Sequence, residues 1–313
     1  MDQLLSATAA SLRKAALNEE AKHYILQNTP LFNTLKKAAD RYIGGETLAE
    51  TIAKATVQNQ QGFKCSIEFM GENTATVAEA QSATAEFINI TKGIQEHGLH
   101  STVSLDLSHI GLAISRSLCE EHLHAICTDA AARNIEVIIS AEGTERTDDV
   151  LAVYQQAARS FSNISITLQA YLYRTADDFK EIIKSPGRIR MVKGAFETAA
   201  GLSMPRGTAL DNVYLQYVDT LLRERHLCAI ATHHDYIQQE VKKLVQQHNA
   251  DKSLYEFESL YGIQGGQLAT LRDEGHPAKV YFVYGAEWYL YVCNRIAEHP
   301  INLLVALNDI VGG

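Results

Sequence analysis

A chain of 313 residues with a net charge of −9 and no Lys/Arg block lacks the basic surface that nucleic acid or an anionic membrane recruits by counterion release. Its 46% hydrophobic and 21% charged content is that of a soluble globular protein, large enough for one α/β barrel or two ordinary domains. The five cysteines (Cys65, Cys119, Cys127, Cys228, Cys293) are odd in number and lack CxxC spacing. They argue against a zinc site and for free thiols in a reducing compartment, with the cytoplasm as the default location.

In chain order, residues 1–62 read as two or three helices that cap a following domain or form an arm. The first twenty are amphipathic and lack the continuous apolar core of a signal peptide. No run of 18 apolar residues occurs, so no membrane span is expected. From Lys64 onward one unit recurs: a short apolar run rich in β-branched residues, then a longer segment of helical period. The strand candidates are Lys64–Phe69, Ser101–Leu105, Ile135–Ser140, Ile164–Gln169, Ile189–Val192, Cys228–Ala231, Leu254–Phe257 and Val280–Val283. Helical candidates follow them over 74–97, 111–133, 145–160, 175–184, 207–225, 235–248, 264–274 and 286–298, and Ile301–Ile310 reads as a last short helix. Eight β-α units predict a (β/α)8 barrel over residues 63–313, close to the usual ~250 residues of that fold. Several runs are apolar throughout, as buried parallel strands are. The alternative, a doubly wound sheet, calls for a GxGxxG fingerprint after an early strand, and the chain has none.

In such barrels the chemistry sits at the C-terminal ends of the strands. Those ends carry Glu68, Gly71 and Glu72; Asp106 and Ser108; Ser140 and Glu142; Gln169; Arg190 and Lys193-Gly194; Thr232, His233 and His234; Glu256 and Glu258; and Tyr281, Tyr284 and Gly285. This is more polar than a barrel core requires. Plain structural roles compete at several positions. Arg190, a charge in an apolar strand, needs a partner, and Glu142 or Glu258 would serve. Thr232 has the chemistry of a helix cap. The His233–His234 pair lacks metal-ligand spacing. Lys193-Gly194 lacks the frame of a P-loop. Trp288, Tyr289 and Tyr291 are ordinary packing residues.

Taken in order, the motifs resemble those of the proline dehydrogenase family over most of residues 64–300. Ser66–Glu72 resembles that family's S-x-D-x-L-G-E, and Gln169–Leu172 its Q-A-Y-L. Arg190–Phe196 resembles R-L-V-K-G-A-Y, and Ala231–His234 resembles A-T-H-N. Tyr255–Gly262 resembles F-E-F-Q-M-L-Y-G. The run Val280–Gly285, followed by an aromatic helix carrying Arg295 and Glu298, resembles the family's closing strand and its Y-x-x-R-R-x-x-E helix. The resemblance implies a distorted (β/α)8 barrel with its last helix over the mouth, and FAD bound without a covalent link. It also implies hydride transfer from the α-carbon of an amine to flavin N5, giving an imine. It assigns Arg190 to the N5 side and Gln169 to the isoalloxazine. Val192, Lys193, Gly194, Thr232, His233, His234, Glu258 and Leu260 fall to cofactor binding. Tyr281, Tyr291, Arg295 and Glu298 join Arg190 as the catalytic set. The expected partners are a small-molecule amine and a quinone, oxygen or other acceptor, with peripheral membrane contact through a quinone as one form of that partnership.

Four substrate-shell positions depart from the family. Its carboxylate-binding lysine falls on Asp106, the first arginine of its helix on Asn294, its strand-three aspartate on Ser140, and the tyrosine after K-G-A on Phe196. Each charge-assisted hydrogen bond contributes roughly 1.5–3 kcal/mol. Losing two costs ~3–6 kcal/mol, or roughly two to four powers of ten in affinity for a free carboxylate. An anion at Asp106 would repel that carboxylate as well. The expected substrate is therefore proline or a proline-like secondary amine with a modified or missing carboxylate, which suits a biosynthetic role. The alternatives are an N-hydroxylating or oxidase variant of the scaffold, a non-catalytic barrel that binds a small molecule, and a metal-dependent hydrolase using His233 and His234.

Overall fold

Eight parallel strands pair each with its sequence neighbour, and the eighth closes on the first. The computed structural model describes residues 27–289 and 291–293, with Glu20, His23 and Tyr24. The strands are β1 (Lys64–Phe69), β2 (Ser101–Leu105), β3 (Val137–Ile139), β4 (Ile164–Gln169), β5 (Ile189–Val192), β6 (Cys228–Ala231), β7 (Tyr255–Leu260) and β8 (Ala278–Tyr284). Among the described residues, the helices α1 (Thr29–Ala39) and α2 (Leu48–Gln60) precede the barrel. The outer ring consists of α3 (Val77–Glu96), α4 (Arg116–Ala132), α5 (Thr147–Ala157), α6 (Thr175–Ile182), α7 (Thr208–Arg223), α8 (Asp235–Gln247) and α9 (Gly265–Asp273). Residues 288–289 and 291–293 are again helical. The expected (β/α)8 fold is what forms.

Local chemistry sets several boundaries. Thr47 with Glu50 and Thr76 with Glu79 form reciprocal capping boxes that start α2 and α3. Ser115 accepts from the Leu118 N–H to start α4. Thr232 is not the cap of α8: His234 holds that position, and its N–H donates to Thr232 Oγ1. Three strands differ in extent from expectation. β3 is shorter, while β7 runs on to Leu260 and β8 starts at Ala278. The charges Glu256, Glu258 and Lys279 do not interrupt those strands, because Glu258 lies directly opposite Lys279 in the β7–β8 register.

The two faces of the barrel wall divide the work. Outward residues such as Ile67, Val103, Leu105, Ile139, Ile166, Met191, Ile230, Phe257 and Phe282 are fully buried beneath the helices. Each contributes roughly 1.5–3 kcal/mol by leaving water. Inside, where branched aliphatics usually fill such barrels, a ladder of charges runs upward instead. Lys64 lies 3.5 Å from Glu136 and 3.3 Å from Glu256. Arg188 bonds Glu136 at 3.0 Å and approaches Glu256 at 3.4 Å. Lys279 donates to Glu256 and forms an ion pair with Glu258 at 2.8 Å. Glu258 meets Arg190 at 3.2 Å.

Residues ahead of β1 pack on the end of the barrel. Ala39, Tyr42 and Ile43 share a cluster with Ile263, Val283, Trp288, Tyr289 and Val292. The Gly44 N–H donates to the Val283 carbonyl at 2.7 Å, Gly285 N–H to Gly45, and Trp288 Nε1 to Glu46 at 2.9 Å. An added Cβ at Gly262, where φ is +76°, would lie 1.8 Å from the Arg41 carbonyl oxygen.

Candidate active site

Arg190 projects into the barrel from β5, and the small Ala229 opposite it in β6 leaves room for its guanidinium. It donates to Thr167 at 2.7 Å, Ser104 at 3.1 Å, Ser140 at 3.0 Å and Glu258 at 3.2 Å. The Tyr281 ring lies beneath the guanidinium, 5.0 Å from ring centroid to Cζ. Burial works against this charge, but Glu258, Tyr281 and Glu68 hold the proton affinity above its ordinary value. Four strands thus fix one cation in one orientation. The Glu258 partnership that simple salt-bridge reasoning foresaw is present, and Glu142 is not the partner.

Beside it sits an acidic group. Glu68 Oε2 accepts from Ser140 at 2.8 Å and from the Tyr281 hydroxyl. Burial raises the Glu68 carboxyl above its usual range despite those donors. Glu142 Oε1 accepts from the Ser108 N–H at 3.0 Å, and burial raises that carboxyl as well. Asp106 is pushed well above the ordinary aspartate range, first by burial, then by Glu68, Glu142 and Glu72. Among the described residues its carboxyl forms no ion pair. Burial and the neighbouring acids thus favour the protonated form of the Asp106 carboxyl. Tyr281 is pushed well up by the same burial and by Glu68.

A second polar patch follows the ends of β5 and β6. Lys193 Nζ lies 2.5 Å from Asp211 Oδ1 of α7 and 2.9 Å from His234 Nδ1. His233 Nε2 accepts from the Leu260 N–H at 3.0 Å, which ties β6 to β7. Gln169, next to Val192 in the β4–β5 register, donates to the Glu142 carbonyl at 3.1 Å. Gly194 has φ +111°, and an added Cβ would lie 2.1 Å from the Tyr171 ring. The Tyr171 hydroxyl donates to the carbonyl of Phe196, a residue that is 40% exposed.

This donor set fits a flavin dinucleotide. A pyrophosphate needs a fixed cation and closely approaching backbone, which Lys193 and the Gly194 turn offer. A redox ring that gains negative charge needs a preorganised cation, which Arg190 offers. The structure brings Arg190, Ser140, Asp106, Tyr281, Glu258 and Gln169 to the barrel interior and mouth, and Lys193, Thr232, His233 and His234 to the rim. It removes two of the strand-end candidates. The Tyr284 hydroxyl bonds Glu86 of α3 at 2.6 Å and so faces the helix layer. Glu256 sits a layer lower, between Lys279 and Arg188. Tyr291 packs, partly buried, against the cluster that includes Ala39 and Trp288. Asn294, Arg295 and Glu298 lie outside the described residues, as does Ile301–Ile310. Ser104, Thr167 and Asp211 were missed. The first two were detectable as polar residues at alternate, inward positions of buried strands. Asp211 carries no local signal.

Comparisons with known proteins agree with this arrangement. The proline dehydrogenase family model matches residues 51–291. Proline dehydrogenase 1 of Bacillus subtilis (strain 168) is 33% identical over 273 residues, covering 87% of this chain and 90% of that protein. Proline dehydrogenase of Deinococcus radiodurans is 27% identical over 280 residues, covering 88% of this chain and 90% of that protein. Among solved structures, proline utilization A from Bdellovibrio bacteriovorus inactivated by N-propargylglycine superposes with a TM-score of 0.81 at 18% identity. That likeness concerns the fold. It covers 98% of this chain, which spans 38% of that longer protein. A closed eight-stranded barrel, a buried arginine at its mouth and a family match over most of the sequence lead to one assignment: the chain belongs to the proline dehydrogenase family, FAD-dependent oxidoreductases acting on a CH–NH group.

Proposed function

We propose that this member oxidises a proline-like secondary amine whose carboxylate is modified, as an amide or ester, or absent. The observation that carries the reading is the crowding of Asp106 by Glu68 and Glu142 at the position where the family's motif has a lysine. Among the described residues, the cation that acts on Asp106 is Arg190, and it already shares its charge with Glu258. A free carboxylate entering this pocket adds one more acid to a group of carboxyls that already favour their protonated forms, and among the described residues it meets no cation that is not already paired. A neutral amide or ester group adds no charge to this acidic cluster.

FAD, which Arg190, Lys193 and Gly194 would hold, would supply the two-electron acceptor for the hydride that leaves the substrate α-carbon. The chain's own residues prepare the site. Arg190 offers a cation that four polar partners hold still, so little reorganisation is needed as charge develops. Tyr281 keeps its proton on the hydroxyl and presents its ring to Arg190. Lys193, steadied by Asp211 and His234, suits the pyrophosphate, and Gly194 lets the backbone approach it. The acceptor that reoxidises the enzyme is proposed to be of quinone type, met at a membrane surface. Residues 1–62 are proposed as a cap, in support of which Tyr42, Ile43 and Glu46 hold the turn that leads into the last helix.

The test is anaerobic bleaching of the FAD-loaded enzyme by proline, proline amide and proline methyl ester. The reading expects the amide or ester to reduce the flavin at least tenfold more efficiently than proline. Efficient bleaching by millimolar proline, with the amide and ester inert, would overturn the changed-carboxylate reading and leave an ordinary proline dehydrogenase.

A further inference from the structure

We propose that Lys279 is a positioning residue for the redox reaction: from inside the barrel it shares the Glu258 carboxylate with Arg190, and so leaves the Arg190 guanidinium as a net positive charge at the mouth. The inference rests on the reading above that Arg190 faces the flavin.

A lysine at the centre of a barrel is costly, because a compact ammonium is strongly hydrated. Lys279 is nevertheless 0% exposed. Its position follows from the register: Lys279 lies opposite Glu258 across β7–β8, and its Nζ is 2.8 Å from that carboxylate and bonded to Glu256. Glu258 is the rung shared with Arg190, at 3.2 Å. Below, Glu256 and Glu136 are already shared by Arg188 and Lys64. The four cations Lys64, Arg188, Lys279 and Arg190 thus divide three carboxylates, Glu136, Glu256 and Glu258. The next acid upward, Glu68, is occupied by Tyr281 and Ser140, and burial favours its protonated form. Counted over these ion-paired groups alone, four cations and three carboxylates, the ladder carries one surplus positive charge, and its upper end is Arg190.

Without Lys279 the cations and carboxylates balance, and Glu258 compensates Arg190 alone. Close charges in a poorly screened interior act strongly on one another. A reaction that adds negative charge beside Arg190 feels that loss directly, although Lys279 touches neither flavin nor substrate. The role is open to sequence only through topology, since Lys279 looks like a strand-flanking surface lysine until the barrel closes around it.

The experiment is a spectroelectrochemical titration of FAD-loaded Lys279→Met, Lys279→Arg and Arg190→Met beside the parent enzyme. At the parent midpoint potential, Lys279→Met should lower the ratio of reduced to oxidised flavin at least tenfold, a fall of about 30 mV for a two-electron couple. Lys279→Arg, which keeps the charge, should stay within threefold of the parent. A purely structural lysine would lower the melting temperature and leave the ratio unchanged, and that result would overturn the proposal. Arg190→Met separates the two levels. If it moves the ratio and Lys279→Met does not, only the role of Lys279 fails. If neither moves it, the placement of Arg190 at the flavin fails as well. Should Lys279→Met not accumulate as folded holoenzyme, Glu258→Gln carries the test with opposite sign. Removing the shared carboxylate should raise the reduced fraction at least threefold, and an unchanged or lowered fraction would overturn the proposal.

Discussion

The Tyr281 hydroxyl donates to Glu68 from the far side of the β1–β8 pair, and it does so while its ring supports the Arg190 guanidinium. One side chain thereby links the acidic and the cationic halves of the mouth. Tyr281→Phe keeps the ring and removes the donor. Glu68 then keeps Ser140 but loses its second donor in a buried site. We expect a stability loss of about 1–3 kcal/mol, the usual cost of a buried polar group left short of a partner. Urea midpoints at neutral pH measure it. An unchanged midpoint would mean that water replaces the hydroxyl freely.

Asp106→Lys restores a cation where the family's motif has one. Glu68 and Glu142 lie close enough to perturb Asp106 and are positioned to stabilise a lysine there. One recovered charge-assisted contact of roughly 1.5–3 kcal/mol corresponds to about a ten- to hundredfold gain in affinity for proline. Proline should become a better reductant of the bound flavin than proline amide. A substrate preference that does not move toward proline would mean that Asp106 lies away from the carboxylate end.

The barrel was legible because its outward strand residues are apolar without interruption, as in Ile164–Gln169 and Ile189–Val192. Arg190 was legible for the opposite reason, being a charge where burial forbids an unpaired one. The ladder beneath it was not. Glu256 and Glu258 read as strand ends and Lys279 was passed over, because the pairing that neutralises them joins residues from different units and exists only once β7 and β8 align. Tyr284 misled for a related reason. Its place at a strand end put it near the mouth, but side-chain alternation turns it outward to Glu86. The state of Asp106 was illegible too, since its proton affinity depends on acids contributed by other strands.

Gly194→Ala tests the rim. The position combines a left-handed φ of +111° with a Tyr171 ring 2.1 Å from the would-be Cβ. Backbone strain of this kind costs on the order of 1–3 kcal/mol, and the clash adds to it. The turn that offers Lys193 should shift. We expect purified Gly194→Ala to lose most of its flavin on gel filtration while its far-ultraviolet dichroism stays that of a barrel. Retention of FAD at parent stoichiometry would show that the turn is not part of the cofactor cradle.

His109 gives the barrel an acid sensitivity of its own. Its ring stacks on Phe69 and meets Phe87 edge-on, 5.2 Å and 5.6 Å between centroids, and it closes against Gly71. Burial lowers its proton affinity from 6.5 to about 4. The unfolded chain therefore takes up a proton near pH 6.5, while the folded chain does so only near pH 4. The stability associated with neutral His109 is complete above pH 6.5 and is lost as pH falls toward 4, by about 3 kcal/mol at most. His100 and His276 are lowered by burial too, so the parent profile alone does not isolate the effect. The difference from His109→Leu does. The variant should lose less stability than the parent between pH 6.5 and 4, with the two urea-midpoint curves converging on acidification. Parallel curves across that window would show that His109 protonates alike in both states and that its burial carries no acid penalty.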